Sequence, residues 1–296
     1  MKTGQPSLSA SSIGAIAAEL LDEGGEVEVI AAFDRSAYLM CSRGLVCVGL
    51  PSIGRGPINV LVSDQSQWPG GRAFGLHEGV KGVAGRRQLS IGPDLVITTQ
   101  GAPVWTPPAF PETASFERGV AVLRAAMPAR LPTDGLAALV FDPSARSAMT
   151  PTAQAGAPQI AALAAALPAT IASGRWSDDA MRAALLLLGL GPGLTPSGDD
   201  FLGGVMLALT ARGHAGLRDA LWESLAGELD DLTVPVSAMH LSAAADGMGA
   251  EAVHDLINAL AAGDAPLIMP ALDLVLALGA TSGADTVAGL AAGLGA

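Results

Sequence analysis

Hydrophobic and polar positions change their spacing once along the chain, which predicts two kinds of structure. Between residues 26 and 99, short apolar runs are separated by polar or glycine-containing turns, as in EVEVIAAF, LVCVGL, PINVLVS and DLVITT. This pattern predicts several short strands, and therefore a small barrel or sandwich. An alanine-rich amphipathic segment at 13–21 precedes the strands and is predicted to cover them as a helix.

A proline-rich stretch at 103–111 separates this region from the rest of the chain. Such a segment can continue neither a helix nor a central strand, so we predict a domain boundary there. Beyond it, apolar residues recur with helical spacing in segments that glycine or proline ends. These segments are 116–126, 160–167, 178–188, 198–212, 217–229, 250–261 and 270–278. The chain is therefore predicted to be α+β, with a β-rich domain and its N-terminal helix at 1–105 and a helical domain at 112–296.

Composition narrows the classes of function. The chain is 50% hydrophobic, which excludes disorder, and its formal net charge of −12 argues against nucleic acid or an anionic membrane as a partner. The longest uncharged stretch, 147–174, is interrupted by prolines, so we predict no membrane span. The N-terminus lacks the apolar core of a secretory signal. Cys41 and Cys47 are predicted to be buried thiols, and the protein is predicted to be cytoplasmic.

The most informative motif is GLGPGLTPSGDDFLGG at 189–204. Its glycines and prolines predict a rigid loop that leads into a helix, with the Ser197 hydroxyl as the N-cap. A loop of this kind presents unpaired N–H groups and the positive end of the helix dipole, which together bind phosphate or carboxylate. The predicted anion-binding residues in this motif are Gly191, Gly193, Thr195, Ser197 and Gly198.

Two carboxylates, Asp199 and Asp200, fall in the first turn of this helix. They would repel an anion unless a cation lay between them, and Mg²⁺ is commonly held by carboxylates and phosphate oxygens, so both are candidate metal ligands. Alternatively, they only complement the helix dipole. Gly203 and Gly204 each cost about 1 kcal/mol relative to alanine, so we expect a close neighbour on that face.

The same signature returns as SGADTVAG near the C-terminus, where Ser282, Gly283, Asp285 and Gly289 repeat residues 197, 198, 200 and 204 at an offset of 85. Asp and Gly are four apart in both copies, hence on one helix face. The repeat predicts two helix starts that meet at one site, although chance identity and tight packing of capped helices remain open. The resulting catalytic candidates are Asp199, Asp200 and Asp285, with Ser282 and Gly283 as further binding residues.

Other signals are weaker. Ser237 and His240 share a helical face without forming a recognisable triad, and His214 and His254 are predicted to be solvated. Arg55 lies between glycines in SIGRGPIN and is a candidate anion clamp, with a hairpin loop as the alternative. The basic cluster at 72–87 is either an anion-binding or docking patch or a solvated loop.

The long motif, the 233–247 segment and the closing GATSGADTVAG resemble a bacterial family, initially of unknown function, that includes a small subunit of oxamate carbamoyltransferase. The resemblance covers the helical half well and the β half only in outline, through IGRGPIN. It implies a multi-subunit enzyme of anaerobic allantoin breakdown that moves a carbamoyl group between oxamate and phosphate, so that oxalurate yields carbamoyl phosphate. It assigns no catalytic residue.

Three hypotheses follow from these patterns. The first is a carbamoyltransferase subunit whose loop binds a small anionic substrate and whose partners are other carbamoyltransferase subunits. The second is a non-catalytic scaffold or regulatory subunit, in which the glycines are packing devices. The third is a stand-alone metal-dependent hydrolase that uses the aspartates to hold a divalent ion.

Overall fold

A computed structural model of the chain describes residues 7–63, 68, 75–93, 95–111, 115–142 and 150–296. The chain divides into two compact units, Met1–Pro107 and Pro108–Ala296. Each unit has its own hydrophobic core, one built by strands and one by helices. The predicted α+β class is confirmed.

The first unit is a closed β-barrel. Its described strands are β1 (Ser7–Gly14), β2 (Gly25–Ala32), β3 (Ser36–Cys41), β4 (Gly44–Gly49), β5 (Asn59–Val62), β6 (Lys81–Gly85), β7 (Gln88–Ile91), β8 (Leu95–Thr98) and β9 (Val104–Trp105). They follow the order β5-β4-β3-β2-β6-β7-β8-β1-β9, and a further pairing of β1 with β5 closes the first eight into a barrel. Of the two predicted architectures, the barrel is therefore the one that forms.

Branched aliphatic side chains line the barrel interior; they alternate with less buried positions along β2, β7 and β8, whereas β4 and β5 are buried almost throughout. Val29, Leu39, Val60 and Ile97 are fully buried in one contiguous core. Helix α1 (Ala15–Glu23) packs Ala17, Leu20 and Leu21 into the same core, as the amphipathic pattern predicts. Cys41 and Cys47 are buried and unbridged, in agreement with the prediction.

The second unit is helical. Its described α-helices are α2 (Glu117–Ala126), α3 (Ala137–Phe141), α4 (Pro151–Ser173), α5 (Asp178–Leu185), α6 (Ser197–Ala211), α7 (Ala215–Ala226), α8 (Leu229–Leu232), α9 (Pro235–Ala245), α10 (Glu251–Ala262), α11 (Ala265–Leu276) and α12 (Ser282–Leu294). Two of them, α3 and α8, match no predicted helix, whereas α9 and α12 were predicted only in part, by the helical face of Ser237 and His240 and by the second copy of the repeat.

Helix α4 differs from the prediction that proline interrupts this stretch. It runs for 23 residues through Pro158 and Pro168. Its Ile160, Leu163 and Leu167 are buried in the helical core, and this packing outweighs the cost of two interior prolines. By length and composition alone, α4 is long and apolar enough to cross a membrane, which differs from the predicted absence of a span; 28% of its most apolar window is buried inside the protein.

Helix α6 lies at the centre of the helical unit. Leu202, Val205, Met206 and Leu209, which recur at helical spacing in the sequence, are all buried. Phe201, Leu207 and Ala208 are buried as well, so most of the helix circumference is enclosed rather than one face. The preceding helix is shorter than predicted: α5 ends at Leu185 rather than at 188, and Leu186 is 58% exposed.

Candidate functional site

Helices α6 and α12 touch through reciprocal glycine contacts. A Cβ atom added to Gly204 would lie 2.2 Å from the carbonyl oxygen of Thr286, and one added to Gly289 would lie 2.0 Å from that of Phe201. Each contact joins a glycine to the residue three positions before the other glycine. A side chain at either position would therefore push the helices apart, which is the close approach predicted for Gly204.

The two helices run parallel, with their first residues together. One turn beyond the glycine contact, a Cβ atom on Gly293 would lie 2.5 Å from the Cβ of Ala208. At the opposite end, the hydroxyl of Thr195 lies 2.7 Å from that of Ser282. Each pair joins residues that are 85 to 87 positions apart, close to the offset of the sequence repeat. The repeat therefore marks two helix starts that meet.

Gly198 and Gly283 occupy equivalent places at these starts. Their Cβ atoms would lie 1.8 Å from the carbonyl oxygen of Leu187 and 1.9 Å from that of Val275, because each helix start presses against the end of the preceding segment. The N–H groups of both glycines donate to carbonyl oxygens of that segment, at 2.9 and 3.0 Å. Both glycines thus have a packing role, and their N–H groups are engaged within the chain.

Asp285 projects from the second helix start into the interior. Its side chain is fully buried, and its Oδ1 accepts hydrogen bonds from the N–H groups of Leu136, at 2.7 Å, and Ala137, at 3.0 Å. It therefore caps the N-terminus of α3 from a distant part of the chain. Burial raises the pKa of its carboxyl to about 6, although the Ser197 hydroxyl and the two N–H groups favour the charged form. Its Oδ2 has no hydrogen-bond partner among the described residues.

Asp200 is the equivalent residue of the first helix start, and it is partly buried. Burial raises the pKa of its carboxyl well above the ordinary value, and the charges of Asp285 and Asp199 raise it further, while the hydroxyls of Ser282 and Thr195 lower it. Its Oδ2, like that of Asp285, is buried without a hydrogen-bond partner in the described chain. Ser282 thus faces Asp200 as Ser197 faces Asp285, so the arrangement is reciprocal.

Asp199 has a different set of partners from its neighbour in sequence. Its Oδ1 accepts from the N–H of Gly189 at 2.6 Å, and its Oδ2 accepts from the hydroxyls of Thr233 and Ser237. Burial raises the pKa of its carboxyl and these donors lower it. Asp199 therefore ties the start of the glycine loop to α9, which gives Ser237 a defined contact as well.

The glycine loop depends on backbone conformations that side chains rarely adopt. Gly189 has φ +71° and a Cβ atom there would lie 1.7 Å from the carbonyl oxygen of Leu232, while Gly191 has φ +123°. Five backbone N–H groups in or just after the loop donate no hydrogen bond within the described part of the chain. These belong to Gly191, Gly193, Leu194, Thr195 and Ser197. The N–H groups without a hydrogen-bond acceptor therefore lie mainly in the loop. Those of Gly198, Asp199 and Asp200, in the first helical turn, donate to carbonyl oxygens of the chain.

The prediction that Ser197 is the N-cap of α6 is wrong. Pro196 occupies the N-cap position, and its carbonyl oxygen accepts from the N–H groups of Asp199, at 2.9 Å, and Asp200, at 3.1 Å. The extended ψ of 141° at Pro196 supplies the conformation that an N-cap needs. Ser197 is already helical, so its hydroxyl reaches Asp285 instead.

The predicted basic residues lie in the first unit. Arg55 precedes β5 in the turn after a short 3₁₀ segment, and its role as an anion clamp stays a prediction. Lys81, Arg86 and Arg87 are exposed on β6 and the turn that follows it, whereas Arg72 lies outside the described residues.

The histidines differ in part from the predictions. His254 is not solvated: its side chain is 1% exposed, its Nε2 lies 3.0 Å from the N–H of Gly249, and its ring stacks on Phe110 with centroids 5.0 Å apart. It belongs to the buried face of the amphipathic helix α10. Burial lowers the pKa of both His254 and His240 to about 4, so both are neutral at neutral pH.

Magnesium at Asp199 and Asp200 stays a prediction. Among the described residues, no group of three or more His, Cys, Asp or Glu side chains is placed to hold a metal ion. Asp199 uses both carboxylate oxygens within the chain, while the buried carboxylate oxygens without partners among the described residues belong to Asp200 and Asp285. A cation would therefore find its free donors between the two helices rather than on neighbouring residues of α6.

Fold and site together define an α+β protein whose helical unit buries a pair of aspartates where two parallel helices begin. Residues 187–294 match the family described as oxamate carbamoyltransferase subunit AllH. The matched segment is about a third of the chain, and it confirms the resemblance seen in the sequence over that segment. The name of this family implies a subunit that works with other subunits of a carbamoyltransferase. No solved structure matches the chain.

Proposed function

We propose that this protein is a subunit of a carbamoyltransferase, and that the paired starts of α6 and α12 form part of its substrate site. One observation carries the proposal: the matched segment 187–294 begins just before the glycine loop and ends with α12. It therefore contains both members of the helix pair, the loop and the three aspartates Asp199, Asp200 and Asp285. The proposed reaction moves a carbamoyl group between the nitrogen of oxamate and phosphate.

The chemistry of the site suits small anionic substrates. Two parallel helices direct the positive ends of their dipoles toward one region, and the unpaired N–H groups of the 191–197 loop lie beside it. Phosphate and the carboxylate of oxamate are both ligands for such donors. Asp199 has a supporting role in this proposal, because it holds the loop against α9.

A scaffold subunit is the second candidate, and the packing contacts favour it. Gly204 and Gly289 are explained by helix contact alone, and Asp199 and Asp285 each accept hydrogen bonds that stabilise local structure. In that case the residues of the helix starts would set stability and subunit association. Asp200 separates the two candidates, because no backbone donor among the described residues accounts for its burial.

Calorimetric titration of the complex isolated from the native host tests the proposal. Carbamoyl phosphate and oxamate should each bind, and Asp200→Asn should weaken the binding of at least one of them about tenfold, a loss of about 1.4 kcal/mol. Asp178→Asn is the matched control, because Asp178 is an exposed aspartate in the first turn of α5. The same titrations with and without Mg²⁺ test the predicted metal.

The outcomes separate the candidates. Weaker binding in Asp200→Asn with an unchanged melting temperature supports a substrate site. Unchanged binding together with lower stability or weaker subunit association supports the scaffold and contradicts the site assignment. If the purified chain has no partner subunits and transfers no carbamoyl group, both candidates are wrong.

A further inference from the structure

Exposed apolar side chains border the glycine loop. Leu186 and Leu232 are 58% and 45% exposed, and Pro192 and Pro235 are exposed as well; these four residues form the loop rim. Leu186 lies three residues before Gly189, and a Cβ atom at Gly189 would lie 1.7 Å from the carbonyl oxygen of Leu232, so both leucines flank the start of the loop. Exposed apolar side chains gathered at one place on a protein indicate an interaction surface.

The matched segment lacks cations that its proposed substrates need. Between residues 187 and 294, the basic residues other than histidine are Arg212 and Arg218, against thirteen Asp and Glu residues. Arg212 donates to carbonyl oxygens at the C-terminal end of α12, which is the end opposite the helix starts. Arg218 is paired with Asp219. Neither guanidinium group is therefore available to a ligand at the loop.

The charge of the substrates exceeds what the helix starts can offset. Phosphate carries about two negative charges near neutral pH, and the carboxylate of oxamate carries one more. The N-termini of α6 and α12 each supply roughly half a positive charge, so together they offset about one of about three. The aspartates of the site supply no positive charge. A bound pair of substrates therefore requires a cation, and the guanidinium group of arginine fits both phosphate and carboxylate.

The surface around the loop rim is acidic on one side. Glu228, Asp230 and Asp231 are exposed in the α8 segment, just before Leu232. Along the chain, the basic residue closest to the loop is Arg182, which is exposed on α5. Helical side chains lean toward the N-terminus of their helix, so Arg182 leans away from the loop that follows α5. The loop rim and the α8 acids therefore complement a partner that is both apolar and basic.

We propose that another subunit of the carbamoyltransferase packs an apolar segment on the loop rim and places an arginine or lysine beside the anion bound at the loop. The α8 acids attract the basic flanks of that segment, and the apolar contact fixes its position. The partner's cation then offsets the substrate charge, and its segment excludes water from the loop. This inference rests on the proposed function, because it places the anion at the loop.

Hydrogen exchange locates the docking surface without any substrate. The samples are the isolated full chain and the complex purified from the native host. The N–H groups of Gly193, Leu194 and Thr195 donate no hydrogen bond within the described chain, so they should exchange fast in the isolated protein. In the complex, exchange in this loop should be at least about tenfold slower. Equal exchange of the loop in the two samples would contradict the docking.

Substitutions in the loop rim test the same surface by sedimentation of the complex. Leu186→Ser combined with Leu232→Ser should weaken subunit association at least about tenfold. Leu274→Ser is the matched control, because Leu274 is 57% exposed on α11, and it should leave association unchanged. Weaker association in the control as well, or in neither protein, would contradict the proposal. An isolated wild-type chain that dimerises through the loop rim would identify a second copy as the occupant, which also contradicts it.

Calorimetric titration with inorganic phosphate tests the cation. The complex should bind phosphate at least about tenfold more tightly than the isolated chain does, with or without Mg²⁺, and salt should weaken this binding. Equal affinities would show that this chain, or a metal, supplies the charge; they would overturn the proposal and leave the proposed function intact. A complex that associates through the loop rim but neither binds phosphate nor transfers a carbamoyl group contradicts the proposed function and the partner's cation, while the docking surface stands.

Discussion

Replacement of Asp285 by asparagine should change how stability depends on pH. The substitution keeps one side-chain oxygen that can accept from the N–H groups of Leu136 and Ala137, so the cap of α3 is retained. It removes the ionisable carboxyl and the charge. The comparison therefore isolates the effect of a buried acid at the start of α12 from the effect of its hydrogen bonds.

The magnitude follows from the shift in acidity. Burial raises the pKa of Asp285 from its ordinary value of 3.8 to about 6. A folded state that binds a proton more tightly than the unfolded state is favoured below pH 4, and this contribution is lost as the pH rises through about 6. Two pKa units correspond to about 3 kcal/mol. Relative to wild type, Asp285→Asn should therefore gain about 3 kcal/mol of unfolding free energy between pH 4 and pH 7.

Urea denaturation at a series of pH values measures this difference, with circular dichroism reporting mainly on the helical unit. The control Asp178→Asn changes an exposed first-turn aspartate and should show no comparable trend. A constant difference between wild type and Asp285→Asn across the range would refute the reasoning, because it would mean that Asp285 titrates alike in the folded and unfolded states. A difference of the opposite sign would mean that hydrogen bonding dominates burial.

Further predictions concern packing, loop anchoring and thiol reactivity. Gly204→Ala should lower the free energy of unfolding by about 1 to 3 kcal/mol in urea melts, because its methyl group would lie 2.2 Å from a backbone oxygen of α12. Gly203→Ala, one residue earlier with its nearest neighbour at 3.8 Å, should be neutral or stabilising by up to about 1 kcal/mol; equal effects would contradict the contact. Asp199→Ala should cost about 3 to 5 kcal/mol by removing the acceptor for three donors, and a smaller loss in melts would refute the anchoring role. Burial raises the pKa of Cys41 to about 11 and of Cys47 to about 12, so both should react with a thiol reagent only after unfolding; fast labelling of the folded protein would contradict this.

Local spacing was sufficient to predict the elements with strong patterns. The predicted helices at 116–126 and 198–212 lie within one residue of α2 and α6 at each end, because apolar residues recur on a helical period and Pro128 or Gly213 follows closely. The short strands β6 and β7 escaped prediction. Their residues include glycine and serine, and their pairing depends on partners that are distant in sequence.

The candidate site was predictable only where the sequence repeats itself. The matching Asp and Gly positions at 200 and 204 and at 285 and 289 predict two equivalent helix faces, and the structure brings them together. The cap of α3 by Asp285 had no signal, because its partners are 149 and 148 residues away in an unremarkable segment. The divergence of Asp199 from Asp200 likewise depends on Thr233 and Ser237, which only the tertiary fold places beside the loop.

The three aspartates provide an argument about function that none of them provides alone. Asp199 is explained by the loop that it anchors, and Asp285 is explained in large part by the helix that it caps. Asp200 has the most adverse surroundings of the three, since burial and two acidic neighbours act against its charge while hydroxyl groups alone favour it. A purely structural position of this kind would be more stable with an uncharged side chain of similar size. The carboxyl group at residue 200 is therefore the feature of the helix pair that packing does not explain.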